Sequence, residues 1–142
     1  MEKESINLEK IRNMSTFKSP EILISKSAKD LFTKISDLNN LKEIMPSKIE
    51  GFISTESTCS FKMKGIPKVS LEILEKIEFS KISLASMDSQ IPFTLECLII
   101  ENGKQCKVKL EINAKLNMMM KMMVEKPLTN FLEELALKMR NF

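Results

Sequence analysis

The C-terminal third of the chain carries the clearest alternation of apolar and polar positions. The alternation runs on both sides of Asn102-Gly103, a dipeptide typical of two-residue hairpin turns. A turn at these residues predicts five wholly apolar pairs: Ile99–Cys106, Cys97–Val108, Leu95–Leu110, Phe93–Ile112 and Ile91–Ala114. Because a slip of one residue would scramble the two faces, the pattern predicts an antiparallel sheet with one buried face.

Further strands are expected upstream of this hairpin. Alternating or continuous apolar positions predict strands over about 16–25, 48–55, 58–64, 68–78, 81–88, 92–101 and 104–116. In two of them, Phe61 alternates with Met63 and Leu71 with Ile73. Pro20 interrupts the first strand, which indicates an edge position or a bulge there.

Two short helices are predicted directly after the first strand. Ser27 and Asp30 match a capping-box pattern in which Asp replaces the usual Glu, and apolar residues follow at helical spacing. A second short helix, at about residues 40–45, is expected to stop at Pro46.

The C-terminus predicts the element that covers the sheet. One apolar stripe of helical period comprises Leu128, Phe131, Leu132, Leu135 and Met139. A second stripe upstream comprises Met118, Met119, Met122 and Met123. The two stripes do not share a phase, and Pro127 lies between them. We therefore expect a long C-terminal helix that is bent or restarted near Pro127.

Composition indicates one globular domain inside the cell. The 142 residues are 43% apolar and 29% charged, with a net charge of +3. Residues 1–14 lack a convincing helix cap and are expected to be a loosely attached extension of a domain over 15–142. The polar N-terminus and the lack of a 20-residue apolar run indicate a cytoplasmic protein without a membrane span.

The absence of certain residue types argues against several classes of function. The chain has no His, which removes the commonest general base and most zinc sites. Its three Gly residues do not form a phosphate-binding loop, and Trp and Tyr are missing, so base-stacking platforms are scarce. Cys59, Cys97 and Cys106 stand singly and are expected to be buried free thiols. We expect no catalytic residue, metal, cofactor or nucleic acid.

Two features admit both a structural and a functional interpretation. Five Met residues occupy six positions from Met118 to Met123, and they could fill the core under a curved sheet or contact a ligand. Glu75 shares its predicted face with Leu71 and Ile73. It could be a solvated strand end or a polar anchor inside a cavity.

The order of elements resembles the helix-grip superfamily called SRPBCC. This superfamily includes START lipid-transfer domains, the birch-pollen allergen and polyketide cyclase-like proteins. The segments 57–61, 66–67, 75–76, 80–82 and 117–131 (NMMMKMMVEKPLTNF) are similar to a small Bacteroidetes branch without an established activity. The resemblance implies an α+β fold in which a curved seven-stranded sheet grips the C-terminal helix around a hydrophobic cavity.

A ligand cavity of that kind would be lined by residues of the apolar faces. The candidates are Phe61, Met63, Leu71, Ile73, Glu75, Phe93, Leu95, Cys97, Val108, Leu110, Met119, Met122, Met123 and Phe131. The favoured function is non-catalytic binding or transport of a small hydrophobic molecule such as a lipid, isoprenoid or polyketide, by a monomer or weak dimer. One alternative is a protein-interaction module. Another is a cyclase-like enzyme, for which Glu75, Asp88 or Glu96 would have to converge in the cavity.

Overall fold

The computed structural model describes residues 14–87 and 91–142, and one antiparallel sheet dominates them. Its strands are β1 (Met14–Lys18), β2 (Ile22–Ile24), β3 (Glu50–Ser54), β4 (Thr58–Met63), β5 (Ile66–Ile77), β6 (Lys81–Ser86), β7 (Phe93–Asn102) and β8 (Gln105–Lys115). They are ordered β1-β8-β7-β6-β5-β4-β3, and β2 also pairs with β8. Residues 1–13, which make up nearly all of the predicted extension, lie outside the described part of the chain.

The predicted first strand is split in two, which raises the strand count from seven to eight. Lys18 pairs with Glu111 and Ile22 pairs with Val108. Between these two pairs, the segment from β1 to β2 therefore has one residue more than β8. Ser19 bridges the interruption, because its hydroxyl accepts a hydrogen bond from the Leu110 amide at 2.9 Å. The irregularity at Pro20 is therefore confirmed, and it lies at an edge of the sheet.

Both short helices are present. Helix α1 (Ala28–Ile35) begins as predicted, because the Ser27 hydroxyl accepts a hydrogen bond from the Asp30 amide at 3.1 Å. A 3₁₀ helix (Leu38–Ile44) follows and ends before Pro46. The two helices contribute buried apolar side chains to the core.

The register of the β7–β8 hairpin differs from the predicted one. Cys97 pairs with Leu110 rather than Val108, because the two-residue turn is Gly103-Lys104. Gly103 has a φ of +67°, whereas Lys104 stays at negative φ, as in a type II′ turn. The partner of every residue moves by two positions, an even number. The buried face is therefore the predicted one although each predicted pair is wrong.

The C-terminal helix α2 (Met118–Met139) runs without interruption through Pro127. Of the two expected forms, bent or restarted near Pro127, the restart does not occur. Met120, Val124 and Leu128 continue the downstream stripe at i, i+4 spacing, so one face of one helix contacts the sheet. A Cβ atom added to Gly65 would lie 3.5 Å from Pro127 Cγ, which places the β4–β5 turn against the middle of α2.

A single substitution tests the contact between helix and sheet. Leu135 is 4% exposed on α2, and Leu137, two residues later, is 50% exposed. We expect Leu135→Asp to lower the free energy of unfolding by several kcal/mol, because it buries a carboxylate among apolar groups. Leu137→Asp should change it by less than about 1 kcal/mol. Urea unfolding of both variants measures the difference, and equal losses would contradict the packing described.

Candidate ligand-binding cavity

A cavity of about 430 Å³ lies between the upstream half of α2 and the sheet. Its walls come from β4, β5, β7, β8 and α2, with Leu116 at the junction of β8 and α2. This volume falls within the usual range for small-molecule sites, roughly 300–1,000 Å³. Every lining side chain except that of Lys68 is apolar, so the cavity suits an apolar ligand or the apolar part of one.

Two stacked aromatic rings, those of Phe61 and Phe131, form part of the wall of this cavity. The ring centroids of Phe61 and Phe131 lie 5.6 Å apart, with 20° between the ring planes. The ring of Phe52 also stacks on Phe61, at a centroid distance of 6.3 Å. Phe61 and Phe131 also line a second, smaller cavity of about 50 Å³. Leu71 and Leu95 also line both cavities, so the stacked pair and these two leucines lie between the two spaces.

The large cavity reaches the surface near the start of β5. Pro67 and Lys68 both line it and are exposed, and Lys68 is the one charged side chain among the described lining residues. The β4–β5 turn just before these residues packs against α2 at Pro127, so the opening lies beside this turn. An ammonium group at this position can hold an anionic end of an otherwise apolar molecule.

The structure brings together many of the residues that the sequence singled out. The predicted residues that line the large cavity are Phe61, Met63, Leu71, Phe93, Leu95 and Phe131. Cys97 and Leu110 line only the smaller cavity. Ile73 and Val108 line neither of the two and pack within the core instead.

Three predicted cavity residues lie on the opposite side of the helix. Met119, Met122 and Met123 are 72%, 74% and 68% exposed. Their positions follow from the phase of α2, because Met120 and Val124 face the sheet and turn these neighbours outward. The Met-rich run therefore contributes one cavity side chain, Met120.

Glu75 also lies outside the cavity. A bulge between Ile73 and Glu75 shifts the register of β5 against β6, which turns Glu75 away from the face of Ile73. Its carboxylate lies 2.9 Å from Lys81 Nζ, and Glu96 lies 4.0 Å from the same nitrogen. The hydrogen bond that Lys81 donates to Glu75 is the main reason that the pKa of Lys81 is raised. The third carboxylate considered, Asp88, lies outside the described residues.

Several lining residues were not singled out from the sequence. They are Ile66, Pro67, Lys68, Val69, Ile91, Ile112, Ala114, Leu116, Met120, Val124 and Leu128. Ile112 and Ala114 could have been found, because they share the predicted apolar face of β8. Val124 could have been found from its i, i+4 spacing to Leu128. The residues of the β4–β5 turn carry no such signal.

The three cysteines have thiols of low reactivity. Cys59 and Cys97 line the smaller cavity, and all three cysteines are free. Loss of solvation raises the pKa of Cys59 to about 11 and that of Cys97 to about 12. Both are therefore protonated at neutral pH and serve as small apolar groups. Within residues 14–87 and 91–142, no cluster of His, Cys, Asp or Glu could hold a metal ion.

Known structures share this architecture. A START superfamily protein from Mycobacterium smegmatis superimposes with a TM-score of 0.63 at 12% identity, covering 90% of this chain and 94% of its own. A protein from Thermus thermophilus gives 0.68 at 15% identity, with 89% and 95% covered. Norcoclaurine synthase from Thalictrum flavum gives 0.59 at 14% identity, with 90% and 85% covered.

These similarities show the fold, which is the helix-grip fold of START-type proteins. No family model matches the chain, and no curated protein matches its sequence. Among the helices of the described residues, none is both long and apolar enough to cross a membrane.

The buried thiols make stability depend on pH in the alkaline range. In the unfolded chain a thiol ionises near its ordinary pKa of about 8.5, whereas Cys97 stays protonated in the folded protein up to about pH 12. Its contribution to stability is therefore complete below the unfolded pKa and is lost as pH rises towards 12. Urea unfolding at pH 7.5 and pH 10 should show a smaller alkaline loss for Cys97→Ala than for the wild type. Equal losses would indicate that Cys97 is solvated.

Proposed function

We propose that this protein binds a small hydrophobic molecule in the cavity between the sheet and α2, without chemically altering it. The observation that carries the proposal is the volume of about 430 Å³ enclosed by apolar side chains. A lipid, isoprenoid or polyketide-like molecule has the matching chemistry, because burial of its apolar surface would drive binding. Cytoplasmic localisation and kinship with the Bacteroidetes branch remain predictions that accompany this proposal.

The cavity offers little to support catalysis. No carboxylate lines it within the described ranges, and Glu75 and Glu96 are paired with Lys81 outside it. General acid–base catalysis needs a titratable group within hydrogen-bonding reach of the substrate. Norcoclaurine synthase is an enzyme with a similar fold. At 14% sequence identity, however, a shared fold does not imply a shared activity.

The cavity can be tested by filling it. Val124 is 7% exposed and lines the cavity, whereas its neighbour Met123 is 68% exposed on the outer side of α2. We expect Val124→Trp to weaken binding of the neutral fluorescent probe N-phenyl-1-naphthylamine at least tenfold, because the indole occupies the site. Met123→Trp is the matched control and should leave the dissociation constant within about twofold of the wild-type value. Fluorescence titration measures both.

Two results would count against the cavity as the binding site. One is probe binding that is equal in Val124→Trp and the wild type while both remain folded. The other is a Val124→Trp protein destabilised by about 1–3 kcal/mol with no probe binding by the wild type, as expected for an overpacked core. Native mass spectrometry of the purified protein would independently show whether a lipid-sized molecule accompanies it.

Lys68 predicts a preference for ligands with an anionic end. Its ammonium group is exposed at the opening, where an ion pair contributes up to about 1 kcal/mol. We expect Lys68→Gln to weaken binding of the anionic probe 8-anilinonaphthalene-1-sulfonate about two- to fivefold. The same substitution should leave the neutral probe unaffected. If both probes lose affinity equally, Lys68 acts through packing and not through its charge.

A further inference from the structure

The upstream half of α2 presents an apolar surface to the outside as well as to the cavity. Met118, Met119, Met122 and Met123 form this surface, which we call the Met face, and they are 68–81% exposed. Over the same turns, Met120 and Val124 line the cavity. A helix segment with apolar side chains on two opposite sides normally buries both of them.

The Met face is larger and more adaptable than scattered surface residues. Four unbranched side chains occupy successive turns at i, i+1, i+4 and i+5, so they form one contiguous patch. Contiguous apolar patches on soluble domains mark surfaces that contact a partner or a membrane. Methionine is suited to partners without a fixed shape, because its side chain is flexible and polarizable.

The charge around the Met face is positive. Residues 115–126 contain Lys115, Lys121 and Lys126 but only one acidic residue, Glu125. Lys64 is adjacent to Gly65, which packs against Pro127 one turn beyond Met123. Within the described part of the chain, none of these four lysines forms a salt bridge, so their charges are not offset by a paired carboxylate.

This distribution of charge works against the stability of the isolated helix. The first turn of α2 has no acidic residue, although the helix N-terminus carries partial positive charge that favours Asp or Glu. Lys121 adds a further positive charge close to that end. A negatively charged surface would offset both effects, and a second copy of the same surface would aggravate them.

We propose that the Met face and its surrounding lysines dock on the surface of a membrane containing anionic lipids. Apolar side chains flanked by lysines are the features with which a helix lies in the plane of a bilayer interface. The methionines would enter the boundary of the acyl chains, and the lysines would contact the lipid head groups. This assignment depends on exposure and charge and does not require the proposed ligand.

Docking in this orientation also gives the cavity a position relative to the membrane. The Met face and the cavity wall are opposite sides of the same turns of α2, so about one helix diameter, roughly 10 Å, separates them. The opening beside Lys68 would then lie close to the lipid head groups. A poorly water-soluble ligand could pass between cavity and bilayer without crossing bulk water.

Vesicle co-sedimentation of the full-length protein tests the proposal. We expect binding to vesicles of phosphatidylcholine with 30% phosphatidylglycerol, and at least tenfold weaker binding to phosphatidylcholine alone. Met119→Gln/Met122→Gln should weaken binding to the anionic vesicles at least tenfold. The control, Ile53→Gln/Leu74→Gln, removes two apolar side chains that are 67% and 62% exposed elsewhere, and it should bind like the wild type.

A second pair of substitutions tests the electrostatic part. Lys121→Gln/Lys126→Gln should weaken binding to the anionic vesicles by about fivefold per lysine and reduce its sensitivity to salt. Neither residue lines the cavity, so probe binding without vesicles should not change. The proposed function and the docking surface can therefore fail separately.

Three results would overturn the proposal. One is the absence of vesicle binding by the wild type, and another is binding that both Met substitutions leave intact. The third is a homodimer, detected by light scattering, that the Met substitutions dissociate while vesicles are not bound. A fall in melting temperature above about 5 °C in Met119→Gln/Met122→Gln would show that another part of the chain covers the Met face, and would also overturn it.

Discussion

The contact between Phe131 and Phe61 determines where the C-terminal helix lies. Phe131 projects from the middle of α2 and stacks on Phe61 in β4, both almost fully buried. Downstream, Leu132, Leu135 and Met139 pack in the core and leave only the smaller cavity of about 50 Å³. Because an α-helix is stiff, fixing this half also fixes the path of the upstream half across the sheet. The cavity is the space that the upstream half spans without filling it.

The two halves of α2 differ in what they place against the sheet. The downstream half presents large side chains at nearly every inward position, whereas the upstream half presents Met120 and Val124 opposite the small Ala114. Protein interiors are normally close-packed, so the open half is a specific feature of this domain. A ligand that fills the open part would stabilise the folded state by mass action. Binding and stability are therefore linked through the same helix.

The outer side of the upstream half suggests that this segment performs a second task. Its methionines do not contribute to the core, and its lysines oppose the helix dipole, so neither is explained by the stability of the domain. The paired lysines lie on other strands and helices. A segment that closes a cavity on one side and contacts a charged surface on the other would couple the two.

Local chemistry in the sequence determined the elements of this protein. Alternation defined the buried face of β7 and β8, Ser27 marked the start of α1, and the stripe around Leu135 identified the helix that covers the sheet. Six of the predicted cavity residues line the cavity, and five of them lie on strands, where parity alone puts a side chain on the concave face. These properties depend on residues close together in the chain.

Tertiary structure decided the features that depend on one element meeting another. The hairpin turn formed at Gly103-Lys104, because a type II′ turn and the pairing of the long strands agree there. The bulge before Glu75 reversed its direction, since a bulge depends on the partner strand as much as on its own sequence. The phase of α2 was settled by Phe131 on Phe61, which turned Met119, Met122 and Met123 outward. When one helix carries two apolar stripes, its sequence does not show which stripe faces the sheet. Contacts with the sheet decide this.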